Sequence, residues 1–67
     1  MNNFKVRLRE LRSDEKLKQS EVAEKLKIPE ATYSNWEQGR REPSIDGLIM
    51  LANFFGVTVG YLVGAED

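Results

Sequence analysis

The 67-residue sequence contains no cysteine and no histidine. Without cysteine there is no disulfide framework, no thiol redox chemistry and no cysteine-ligated zinc. Without histidine the commonest general base and the commonest metal-binding nitrogen are both missing. No paired carboxylates mark a recognisable pocket either. An enzyme is therefore a poor reading, and no catalytic residue, metal or cofactor is expected. No apolar run approaches the roughly 18 residues of a membrane span. The opening MNNFKVRLRELR lacks the apolar stretch of a signal peptide. The expectation is one small cytoplasmic domain over residues 1–67, with no membrane partner and modest stability.

Charge is present but unevenly spread. The formal net charge is −1, yet all ten Lys and Arg lie between Lys5 and Arg41. Residues 1–43 carry a net of +2 and residues 44–67 a net of −3. A domain with an acidic overall balance can still present a basic face, because binding responds to local potential. Taken alone, the same charges read as an ordinary mixed, solvated surface.

Strand signals are confined to Val57-Thr58-Val59, too short for a sheet. Everything else reads as helix or turn, so the expected class is all-α with five helices. Phe4, Leu8 and Leu11 recur at helical spacing within a first helix over about residues 3–15, and Leu17 tucks the turn inward. The second helix starts near Lys18 or Gln19, with Val22, Ala23 and Leu26 as its apolar stripe. Pro29 prevents its continuation and can open the next helix. The third helix, about residues 30–38, is short and polar, with Trp36 and either Tyr33 or Thr32 inward. Trp36 reads as core rather than as a base-stacking residue. Gly39 supplies the left-handed residue that closes this helix. Ser44 caps a fourth helix whose buried stripe is Leu48, Leu51, Ala52 and Phe55, closed by Gly56. Thr58 caps a last short helix with Val59 and Leu62 inward and Tyr61 as a further candidate. Residues 64–67 read as a frayed tail.

The informative stretch is LKQSEVAEKLKIPEATYSNWEQGRREP, residues 17–43. It has the layout of a helix-turn-helix, in which the second helix enters the DNA major groove. Glu30, Ala31, Ser34, Asn35 and Gln38 share the polar side of the third helix, opposite Trp36. Asparagine can bond adenine N6 and N7, alanine can touch a thymine methyl, and glutamate can accept from cytosine N4. Arg40 and Arg41 follow where a phosphate would run. By pattern alone, a surface helix that is merely polar fits equally well.

The sequence resembles the lambda-repressor-like, Cro/C1-type (XRE) helix-turn-helix family of bacterial and phage regulators. The resemblance rests on Leu8, Leu11 and Arg12; on Leu17, Gln19, Val22, Ala23, Leu26 and Ile28; on the run YSNWEQGRREPS; and on LIMLANFFGVTVGYL. It covers nearly the whole chain. It implies a compact five-helix domain with helices 2 and 3 as the helix-turn-helix. Glu30, Ala31, Ser34 and Asn35 are then base-reading, and Lys18, Gln19, Gln38, Arg40 and Arg41 phosphate-binding. Arg12 and Glu37 match a structural ion pair. The implied function is a sequence-specific transcriptional regulator, a repressor, bound as a homodimer to a double-stranded operator. The alternative is a protein-interaction module of the same fold, such as an antitoxin component with a protein partner. Phe54, Tyr61 and Val63 are the expected patch for a second subunit; partial shielding within the monomer reads equally well. The chain departs from the family pattern at Lys18, where a hydroxyl cap is usual, at Lys27, where glycine is usual, and at Pro29, where a hydroxyl cap is usual.

Overall fold

Each helix in the chain stops at a left-handed residue, and that sets the architecture. The computed structural model describes residues 3–66. It contains α1 (Phe4–Asp14), α2 (Gln19–Leu26), α3 (Glu30–Gln38), α4 (Ile45–Phe55) and α5 (Val59–Val63). Among the described residues there is no strand. Among the described residues those with positive φ are Lys16, Lys27, Gly39, Gly56 and Gly64, one after each helix. Where the chain turns left-handed, the next amide reaches back to a carbonyl in the last turn. Leu17 N–H donates to the Arg12 carbonyl, Ile28 to Ala23, Arg40 to Asn35, Val57 to Ala52 and Ala65 to Gly60. These are Schellman-type closures, which satisfy carbonyls that a helix end leaves open.

Three of the five closures use glycine, which enters this region without steric cost. The other two use lysine, at φ 57° for Lys16 and 59° for Lys27. The sequence marks Lys27 as a departure from glycine; Lys16 is an addition. What recommends both sites is the residue that follows. Leu17 and Ile28 each pack against the core, so an apolar contact locks the turn behind a strained lysine.

The starts of the helices are equally explicable. Ser44 Oγ accepts from the Gly47 amide at 3.1 Å, and Thr58 Oγ1 from the Tyr61 amide at 2.9 Å. Lys18 stands at the cap of α2 but has no acceptor. Glu21 supplies the bond in the other direction, its carboxylate accepting from the Lys18 amide at 2.7 Å. Pro29 precedes α3 in extended backbone, at φ −61° and ψ 143°, as its ring allows.

The core gathers one stripe from every helix: Phe4 and Leu8, Val22 and Ala23, Tyr33 and Trp36, Leu48, Leu51 and Ala52, and Leu62. Helix α3 packs on both α1 and α2, α4 packs on α5, and α5 returns to α1. Trp36 is buried and meets Tyr33 edge-on, with ring centroids 6.3 Å apart. Thr32 is only half-buried, so Tyr33 is the inward residue of the two. A Cβ on Gly47 would sit 2.9 Å from the Pro43 Cβ and 3.7 Å from the Trp36 ring. The start of α4 thus approaches Pro43, in the loop before it, too closely for a Cβ, while the Trp36 ring lies at ordinary contact distance.

One expectation is corrected. Phe55 is half-buried rather than a full member of the α4 stripe. It shares the helix end with Phe54, and the two rings meet edge to face at 4.9 Å. Adjacent helical residues point about 100° apart, so the pair divides between core and solvent. In the segment expected as a frayed tail, Glu66 makes two contacts. The Thr58 hydroxyl donates to Glu66 Oε1 at 2.7 Å. The Arg7 guanidinium donates to the backbone carbonyls of Tyr61 and Glu66. Asp67 lies outside the described residues.

Because lysine pays a steric cost in left-handed backbone, Lys16→Gly and Lys27→Gly should each stabilise the fold. After the added entropy of the unfolded chain, the expected gain is about 0.5–1 kcal/mol apiece, or roughly 3–6 °C in melting temperature. Thermal unfolding followed by circular dichroism measures this, and a loss of stability at either position contradicts the account.

Candidate nucleic-acid interface

The helix-turn-helix is held by one carboxylate. Glu37 sits in the last turn of α3 and is 1% exposed, the one buried charged residue among those described. An isolated buried carboxylate costs several kcal/mol, so its partners decide whether α3 can sit here. Arg12, on α1, meets it with a two-pronged contact: Nε to Oε2 at 2.6 Å and Nη2 to Oε1 at 3.0 Å. Gln19, the first residue of α2, donates Nε2 to Oε1 at 3.0 Å. The remaining prong of Arg12 donates Nη1 to the Leu17 carbonyl at 2.9 Å, fixing the turn between α1 and α2. Three helices therefore converge on one side chain.

The electrostatics follow from this enclosure. Burial pushes the Glu37 carboxyl upward, but the hydrogen bonds from Arg12 and Gln19 and the nearby Tyr33 outweigh it. The net result is a carboxyl below the ordinary value of 4.5. The bond to Glu37 likewise holds the Arg12 guanidinium above its ordinary value. Burial, then the Glu37 carboxylate, pushes the Tyr33 hydroxyl well above its usual range. The Tyr33 hydroxyl lies near Glu37 without meeting hydrogen-bond geometry, and it is buried without a partner.

Held this way, α3 turns its polar side outward. Glu30 and Ala31, in its first turn, are exposed, and Ser34 and Asn35 are half-buried. The four residues expected to read bases thus lie along one short helix, on the side away from Tyr33 and Trp36. Gln38 is exposed but leans back along the helix, its Nε2 donating to Ser34 Oγ at 2.8 Å. Arg40 and Arg41 are exposed, and their amides wrap the end of α3 by donating to the Asn35 carbonyl at 3.0 and 3.4 Å. Lys18 is exposed at the start of α2, beside Gln19, which is half-buried. Among the described residues there is no cluster of three or more potential metal ligands.

Phe54, Tyr61 and Val63 are each half-buried. Phe54 and Val63 pack against the core, and the Arg7 guanidinium covers the Tyr61 ring at 4.3 Å from its centroid. Among the described residues the most exposed large apolar side chains are elsewhere: Ile45 at 76%, Val6 at 51% and Ile49 at 46%. Ile45 and Ile49 share one face of α4 by their i, i+4 spacing. That spacing is visible in SIDGLIM, but the stripe of Leu48, Leu51 and Ala52 on the same helix masks it. The Gln19–Glu37 bond was also missed. The resemblance pairs Glu37 with Arg12 alone, and nothing local in the sequence signals a third member.

Comparison with known proteins shows the family. A family model described as Helix-turn-helix matches residues 8–62. Over 61 residues the chain is 38% identical to an uncharacterized HTH-type transcriptional regulator, YobD, of Bacillus subtilis, covering 91% of this chain and 54% of that protein. It is 33% identical over 64 residues to the HTH-type transcriptional activator BcrR of Enterococcus faecalis, covering 96% of this chain and 31% of that protein. It is 35% identical over 64 residues to the cryptic phage CTXphi transcriptional repressor RstR of Vibrio cholerae, covering 96% of this chain and 58% of that protein. The chain thus spans about a third to three fifths of the length of these relatives. No solved structure matches.

The lowered Glu37 carboxyl sets a pH dependence. Between its folded value and the ordinary 4.5, the unfolded chain binds more protons than the folded one. The stability contributed by Glu37 is therefore full above that ordinary value and is lost as pH falls through the lower folded value. Glu37→Gln should flatten this part of the acid limb, so that the gap between wild type and variant narrows on acidification. Denaturant unfolding across the acid range measures it; parallel curves would contradict the assignment.

Proposed function

Because the chain belongs to the helix-turn-helix family, of the Cro/C1 type, we propose that it is a transcriptional regulator that places α3 in the major groove of a double-stranded operator. The observation that carries this reading is the anchoring of α3. Its inner side is fixed by Trp36, Tyr33 and the Glu37 carboxylate, while Glu30, Ala31, Ser34 and Asn35 are left on the outer side. A helix that reads bases needs this division, because a one-ångström error in its seat misplaces every contact. Asn35 is suited to adenine and Ala31 to a thymine methyl. Glu30 can accept from cytosine N4 and penalises sites that offer only acceptors. Lys18, Gln19, Gln38, Arg40 and Arg41 would hold the backbone on either side.

A single module of this kind covers about 600–1,000 Å² of DNA-facing surface, too little for tight specific binding. A homodimer on a two-fold operator supplies the remainder, with half-sites about one DNA turn apart. Phe54 and Val63 keep part of their apolar surface in solvent at the α4–α5 end, where a second copy would join. Repression is the simplest outcome, since occupying an operator needs no further contact. The relatives include both a repressor and an activator by name.

Selection of binding sites from random duplexes tests the whole reading at once. The expected product is a two-fold sequence with half-sites one turn apart. On that site Asn35→Ala should cost roughly 1–3 kcal/mol and relax one base position, while Arg41→Ala should weaken all duplexes alike and flatten the salt dependence. Failure to enrich any sequence, with no salt-sensitive binding to duplex, would favour the protein-interaction alternative.

A further inference from the structure

The geometry points to Glu37 as a positioning residue for phosphate: it turns the Gln19 amide so that one nitrogen bridges the buried carboxylate and a DNA phosphate. This rests on the proposed phosphate contact at Gln19.

The argument begins with which atoms can face each other. Glu37 is ion-paired with Arg12, so its oxygens only accept. The group that Gln19 presents to Oε1 must therefore be its NH2, not its carbonyl, and the bond is 3.0 Å long. That bond uses one of the two hydrogens on Nε2. The second hydrogen remains, and Gln19 is only half-buried, so its side chain keeps a solvent-facing part. A phosphate oxygen is also acceptor-only. An amide nitrogen can serve two acceptor-only groups by giving one hydrogen to each. A carbonyl turned toward either group would repel it.

Position supports the same reading. Gln19 is the first residue of α2, an eight-residue helix. The Lys18 amide is already taken by the Glu21 carboxylate. The amides of Gln19 and Ser20 have no intrahelical carbonyl to reach, as at every helix start, and an anion is favoured there. The Gln19 side chain is thus held in place from behind, at the mouth of a site that attracts phosphate. The Arg12 charge offsets that of Glu37 at 2.6 Å, so the carboxylate does not repel the incoming anion as a bare charge would. In this arrangement Glu37 never touches DNA and acts through Gln19.

The test is a double-mutant cycle between Glu37→Gln and Gln19→Ala, read on the selected duplex and on a random-sequence duplex of the same length. Folding of each variant is first checked by circular dichroism. Glu37 Oε1 accepts from both Arg12 and Gln19 while Oε2 accepts from Arg12, so the single carbonyl of a glutamine at position 37 cannot serve all three donors and the hold on the Gln19 amide is loosened. Glu37→Gln alone should weaken both duplexes together by about tenfold; because the neutral Gln19 amide neutralises no phosphate charge, the lost contact does not itself lower the salt slope. In the Gln19→Ala background the same substitution should weaken neither duplex. Equal losses with and without Gln19 overturn the inference, because they would show a purely structural effect. If Glu37→Gln does not fold, the wild type decides by NMR of the Gln19 side-chain amide. On adding duplex, one Nε2 hydrogen should shift while the hydrogen facing Glu37 keeps its resonance; a shift of both, or of neither, overturns it. Binding that Arg41→Ala weakens and Gln19→Ala does not would overturn this inference alone. Absence of salt-sensitive binding by the wild type would overturn the DNA-binding reading with it.

Discussion

A carboxylate that is 1% exposed cannot stand alone in a domain this small. Its ionised form must be paired and hydrogen-bonded, or the helix that carries it cannot pack where it does. Glu37 meets that demand by drawing Arg12 from α1 and Gln19 from α2. Removing one partner of a buried pair typically costs about 3–5 kcal/mol, because the other charge is left stranded. That is a large share of the stability available to a chain of this length. The interaction is therefore a constraint on register as much as a source of stability. It permits one seating of α3 against α1 and α2, and that seating turns the polar side of α3 outward.

The apolar core and the ion pair divide the labour. Tyr33, Trp36 and Leu51 supply non-directional burial, which tolerates small rotations of a helix. The two-pronged contact between Arg12 and Glu37 does not tolerate them, because its fork geometry is fixed. Tyr33 shows what the core concedes for this. Its hydroxyl is buried beside Glu37 and finds no partner, an unsatisfied group that burial ordinarily penalises. Gly47, at the start of α4, approaches Pro43 closely, with the Trp36 ring of the seated α3 beside it at ordinary contact distance.

Much of this was legible in the sequence, and the parts that were not have a common physical origin. Periodicity found the helices, because Phe4 and Leu8, Val22 and Ala23, and Leu48 and Leu51 repeat at helical spacing. Ser44 and Thr58 signalled their helix starts by side-chain chemistry alone. Glycine marked three helix ends; the two lysines did not, since nothing in lysine itself announces left-handed backbone. The cue there is the apolar residue that follows, Leu17 or Ile28. The hold on the C-terminal segment was invisible: Arg7 and Glu66 are 59 residues apart, and no local pattern relates them. Gln19 was singled out by resemblance for its outward role, whereas its inward bond to Glu37 emerged from the folded arrangement. The outward side of α3, from Glu30 to Asn35, followed from Trp36, whose burial fixes which side of a nine-residue helix remains free.

The central claim is that Glu37 is an ionised, hydrogen-bonded carboxylate joining three helices. NMR titration of its side-chain carboxyl carbon in the folded protein measures this most directly. The account predicts a midpoint below the ordinary 4.5, with the resonances of Arg12 Nε and Gln19 Nε2 moving in the same transition. A midpoint at or above that value, or a Glu37 transition that leaves both partners unmoved, would contradict it.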